Sequence, residues 1–144
     1  MKTEKIFLRS GSTINVPSTA YARQVRKLER EGATTSDAQG MADLHFIKKF
    51  MARVKEFSEK NHEELMVLRK AVDSFHKVNA EAAPKVSQSM LEVSQGIGDA
   101  SSIENVVTAI QLMIKYDIEV VGHTIDELKH CSDKLLALCD LSSK

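Results

Sequence analysis

From Leu44 to Asn79 the chain repeats every seven residues, and that repeat limits its possible folds more than any other feature. Leu44, Met51, Ser58, Leu65, Val72 and Asn79 share one heptad position, and Ile47, Val54, Asn61, Leu68 and Phe75 share the other. Alternating steps of three and four residues bring such side chains to one side of an α-helix. Eight of the eleven are apolar, while Ser58, Asn61 and Asn79 interrupt the seam. Phe50 and Phe57 stand one position before the first set and widen the apolar stripe toward its N-terminal end, as a third packed helix would require. The two prolines, Pro17 and Pro84, fall outside this region, so a single helix over 37–80, about 66 Å long, is expected.

Either side of that helix the pattern changes. Ile6 and Leu8 before Ser10-Gly11-Ser12, with Ile14 and Val16 after it, alternate as a short β-hairpin would, within an N-terminal arm over 1–18. Two such strands need a neighbour or a second copy for support. Tyr21, Val25 and Leu28 space one apolar face on a helix over 19–31 that ends at Gly32. Ser36 with Gln39 reads as a capping box for the next helix, which makes 19–50 a helix-turn-helix head. Pro84 starts a short helix carrying Val86, Met90 and Val93, and Gly96-Ile97-Gly98 forms a hinge, together 84–100. Ser101 with Glu104 suggests a second capping box. An apolar pattern from Ile103 through Ile110, Ile118, Ile125 and Leu135 then predicts a second long helix over 101–140, about 58 Å in length. The expectation is one all-α domain: a long antiparallel helical hairpin or coiled coil with a small N-terminal helix-turn-helix and a short β-hairpin.

Twenty basic and twenty acidic residues cancel over the whole chain, which removes the overall field that nucleic-acid and anionic-membrane binders use. The balance is uneven along the chain. Residues 1–80 carry 15 Lys or Arg against 10 Asp or Glu, and residues 81–144 carry 5 against 10. That polarity favours antiparallel pairing within a chain or head-to-tail pairing between copies. Cys131 and Cys139, eight apart on one expected helix, lie too far apart to bridge and read as reduced thiols. The longest mainly apolar stretch, 106–114, is too short to span a bilayer, and residues 1–9 lack an export core. These features point to a soluble, cytoplasmic protein with no transmembrane segment.

Residues with chemical potential are few. Glu59–His62 and Glu127–His130 have the Glu-x-x-His spacing of di-iron bundles, yet Glu59 and His62 fall outside the heptad seam and no further inward glutamates accompany them. Glu119, His123 and Glu127 repeat every four residues, as ordinary surface pairs on a helix also do. No nucleophile elbow, phosphate loop or paired-carboxylate context is present, so no catalytic residue, cofactor or metal is expected. Arg23, Arg26, Lys27 and Arg30 place four cations along one side of the first helix, beside the helix-turn-helix. The second helix of that head offers only Gln39 as a base reader, which weighs against nucleic-acid binding.

Residues 20–44, through Leu28-Glu29, Gly32 and Ala38-Gln39, resemble the head of the coiled-coil family that includes the mitochondrial calcium uniporter regulators. That resemblance implies a head on an oligomeric stalk. Phe57-x3-Asn61, the Ser/Gly-rich break at 94–102 and Ile103-Glu104-Asn105-Val106-Val107 leading to Gln111 look like a phasin over about residues 50–136. Phasins are helical proteins that coat polyhydroxyalkanoate granules. The resemblance would make Ile110, Met113, Ile114, Ile118, Val121 and Ile125 a surface that faces polymer or a neighbouring helix. The leading expectation is therefore a non-enzymatic scaffold that forms homo-oligomers through amphipathic helices and covers a granule surface or a partner helix. The alternative is a regulatory or nucleic-acid-binding adaptor acting through Arg23, Arg26, Lys27 and Arg30.

Overall fold

Ile6, Ile14 and Val16 fall on one face of the two expected strands, and in the computed structural model, which describes residues 2–75, 80–116, 119–120 and 122–141, all three are buried. They sit on an antiparallel hairpin, β1 (Thr3–Phe7) and β2 (Thr13–Pro17), in which Ile6 faces Ile14 and Glu4 faces Val16. Gly11, at φ 87°, makes the turn. The neighbour such a hairpin needs is the C-terminal segment of the same chain. The Asn15 amide donates to the Cys139 carbonyl at 3.0 Å, and the Leu141 amide donates to the Asn15 carbonyl at 2.8 Å. Arg53 holds the same segment through the Asp140 carbonyl at 3.1 Å.

Helix α1 (Ser18–Arg30) begins directly after Pro17 and ends where Gly32 takes φ 103°. Helix α2 (Thr35–Phe75) starts earlier than Ser36 and Gln39 indicated, because Thr34 is the cap: its hydroxyl accepts from the Asp37 amide at 3.2 Å. Small residues let α1 and α2 approach, with Leu28 buried against Ala38 and Ala42. The Tyr21 hydroxyl donates to Asp43 at 2.8 Å, and burial followed by that bond lifts the phenol to about 12.

At 41 residues α2 is about 60 Å long. It kinks at Asn61 (φ −124°, ψ 21°), whose amide donates to the Phe57 carbonyl at 2.9 Å. Helix α3 (Ala83–Ser94) runs back along it. Ser58 donates to the Ser94 carbonyl, which also meets His62 Nδ1 at 3.2 Å, and nearer the other end Ser87 donates to Asp73 at 2.6 Å. Helix α4 (Ala100–Lys115) turns again, fastened by Asn105 to Ser89 at 3.1 Å and Ser102 to Glu92 at 2.8 Å. Its cap is Asp99, which accepts from the Ser102 amide at 3.0 Å, in place of the expected Ser101 and Glu104 box. Helix α5 (Ile125–Leu138) returns against both α4 and α2. With the C-terminal part of α2 these helices make an up-down-up-down four-helix bundle.

One expectation is corrected. The second long helix over 101–140 is two helices: α4 ends at Lys115, Gly122 takes φ 78°, and Thr124 with Glu127 forms a capping box that starts α5. A reversal there folds α5 back over the core, which one straight rod could not do. The expected helical hairpin holds in part: α2 is long and α3 runs back along it, within a bundle of unequal helices. Leu65, Leu68, Val72 and Phe75 are buried as the heptad requires, but Leu44 and Met51 lie exposed, and Asn79 is outside the described residues. No helix among the described residues is long and apolar enough to cross a membrane.

Candidate functional site

The apolar face of α1 rests on α2, so its opposite face is fixed in space. Arg23, Arg26, Lys27 and Arg30 are all exposed there, and Arg23, Arg26 and Arg30 line an open groove with Ser18, Thr19 and Ala22. Arg23 and Arg30 are separated by two helical turns, about 10 Å. Among the described residues none of the four cations makes an ion pair. Glu29, the carboxylate within this segment, is turned toward the loop, where it accepts from the Thr35 hydroxyl at 3.2 Å. Lys27 and Arg30 also occupy the last turn, where the helix dipole favours positive charge. The structure thus brings together the four basic residues read from the sequence and leaves them available to an anion.

The apolar row is not brought together as a surface. Ile110 and Met113 are fully buried inside the bundle, Ile114 is half-buried and Ile125 is exposed on α5. Ile118 and Val121 lie outside the described residues. Because α4 is covered by α3 and α5, its apolar side serves as core.

The two Glu-x-x-His pairs lie apart. Glu59 and His62 are exposed at the kink of α2, whereas Glu127 and His130 border a separate cavity of about 350 Å³ between α2 and α5. Glu64 enters that cavity from α2, and His123, Cys131 and Lys134 join it. His123 Nδ1 and Glu127 are 3.2 Å apart. Among the described residues no three His, Cys, Asp or Glu side chains are arranged to hold a metal ion. Burial, and then the nearby Glu64 carboxylate, raises the Cys131 thiol to about 11, so it stays protonated at neutral pH and is a poor nucleophile. Cys139 is raised to about 11 by burial and by Glu104 and Asp99, and both cysteines are free. The part played by Glu64 was not legible, since nothing in local spacing indicates that it meets α5.

Fold and site together define a four-helix bundle bearing a basic helical head. No protein-family model, curated protein or solved structure matches the chain.

Proposed function

We propose that this protein is a non-enzymatic helical adaptor whose basic head grips a phosphodiester backbone. The carrying observation is the row Arg23, Arg26, Lys27 and Arg30, exposed, without ion pairs among the described residues, and mounted on α2 by Leu28, Ala38 and Ala42. Guanidinium groups match phosphate oxygens in charge and in planar donor geometry, and they gain from an anion what no carboxylate of the head provides. We read the contact as one to backbone charge, which an exposed row of cations meets without any requirement for sequence. Granule coating draws no support from Ile110 and Met113, whose apolar surface is consumed by the bundle.

The test is fluorescence anisotropy of labelled oligonucleotides over a salt series. Four phosphate contacts on duplex DNA should give a log–log salt slope of about −3.6. Replacing Arg23, Arg26, Lys27 and Arg30 together by Glu should abolish binding while the fold persists, since all four are exposed, with at most a small loss of helical signal from the last turn of α1, where the dipole disfavours carboxylates. Binding that survives the reversal, or no binding by the unaltered protein, refutes the reading.

A further inference from the structure

We infer that Met41, Leu44, Lys48, Met51 and Lys55 of α2 form a docking face for an acidic amphipathic helix of a partner protein. Met41 is 48% exposed, Leu44 56% and Met51 53%, a concentration of large apolar side chains that the fold leaves uncovered. Their spacing of three, four, three and four residues is that of a coiled-coil seam, about 21 Å long. Structural packing uses this side only at Lys55, where the α3–α4 loop meets it, while the same stretch of α2 buries Phe46, Phe50 and Val54 on its other side.

The row continues the side of α2 that α3 covers. Ser58 bonds to the last residue of α3, and one turn earlier Lys55 lies against the α3–α4 loop, where a Cβ added to Gly96 would be 3.1 Å from the Lys55 Cα. Met41, Leu44 and Met51 stay exposed beyond that loop, and Ile97, which follows Gly96 in it, is 66% exposed. A helix laid on Met41, Leu44 and Met51 would extend the line of α3 past the loop at Gly96.

Charge selects the occupant. From residue 44 to 55 the helix carries Lys48, Lys49, Arg53 and Lys55 and no carboxylate. Arg53 is engaged by the Asp140 carbonyl, but Lys48, Lys49 and Lys55 are exposed and make no ion pair among the described residues. A second copy packed on the same row would bring Lys48 and Lys55 into one seam with their own counterparts, a like-charge clash. A lipid surface is also a poorer fit, because the lysines interleave with the apolar residues instead of flanking them. A helix with carboxylates opposite Lys48 and Lys55 and leucine-like residues opposite Leu44 and Met51 satisfies both features, and methionine adapts to varied partner side chains.

The probe is a synthetic peptide of about three heptads whose seam alternates leucine with glutamate, beside a counterpart in which lysine replaces glutamate. The acidic peptide should bind saturably by titration calorimetry and the basic one should not. Leu44→Ser with Met51→Ser should weaken binding by about tenfold or more. Lys48→Glu with Lys55→Glu should reverse the peptide preference. All four positions are exposed, so the variants should fold, and charge reversal on α1 should leave peptide binding unchanged, which separates this test from that of the head. Equal binding of both peptides, or of neither, overturns the inference. So does a concentration-dependent dimer in sedimentation, or binding to phosphatidylcholine–phosphatidylglycerol vesicles, if either is lost in the Leu44→Ser, Met51→Ser variant.

Discussion

The two halves of α2 carry the same heptad line and treat it oppositely. After Asn61, Leu65 and Val72 on that line are buried; before Ser58, Leu44 and Met51 on the same line are exposed. The difference lies in the covering helix. At 12 residues α3 is about 18 Å long, and its end meets α2 at Ser58 and His62, so the N-terminal half extends past it. A heptad seam therefore records where a helix can be covered. How far cover extends is decided by the length of its neighbour.

Equivalent truncations on the two halves should separate them most. Leu65→Ala removes a fully buried side chain between helices and should cost about 2–5 kcal/mol, while Leu44→Ala, at the same heptad position, should stay within about 0.5 kcal/mol. Denaturant unfolding followed by circular dichroism measures both. A Leu44→Ala cost close to that of Leu65→Ala would mean that the N-terminal face is covered in solution and would remove the contrast.

Much of this arrangement was legible from residues alone. The hairpin across Gly11, α1 and its end at Gly32, the start of α3 beside Pro84 and the four-cation row each rest on local chemistry, which a short sequence window contains. The break between α4 and α5 was missed because Ile118, Val121 and Ile125 continue the apolar period across it. Thr124-Ile125-Asp126-Glu127 is nevertheless a capping box, and Gly122 precedes it, so the signal for a new helix was present. Other features were beyond any local reading. The pairing of Asn15 with residues 139–141 joins the two ends of the chain, and the meeting of Glu64 with α5 depends on how the bundle closes.

The point where α3 stops is itself open to perturbation. Gly96 holds φ 74° and passes so close to Lys55 that an added Cβ would lie 3.1 Å from its Cα. Gly96→Ala should therefore cost about 1–3 kcal/mol, through both the left-handed backbone and the forced separation of loop and helix. The same change at Gly32, also at positive φ but with open space around the added carbon, carries only the backbone share. Comparing the two by denaturant unfolding isolates the steric part. Equal losses would show that the loop does not seat against α2, and the boundary between its covered and bare halves would have to be drawn elsewhere.

Alkaline pH tests the same contrast by titration. Cys131 and Cys139 belong to the bundle side, Tyr21 to the head, and in each case folding favours the protonated form. For the thiols, raised from 9.0 to about 11, the stabilisation is intact below about pH 9 and is lost as pH rises toward 11. For Tyr21, raised from 10.0 to about 12, the corresponding loss runs from about pH 10 to 12. Unfolding midpoints of the unaltered protein should fall first in the thiol window. Cys131→Val with Cys139→Val should flatten that first fall, and Tyr21→Phe should flatten only the later one while costing about 1 kcal/mol at neutral pH through loss of the bond to Asp43. A double-cysteine variant whose alkaline profile matches the unaltered protein would show that the thiols ionise as freely in the fold as outside it, and that the α5 side of the bundle is open to water.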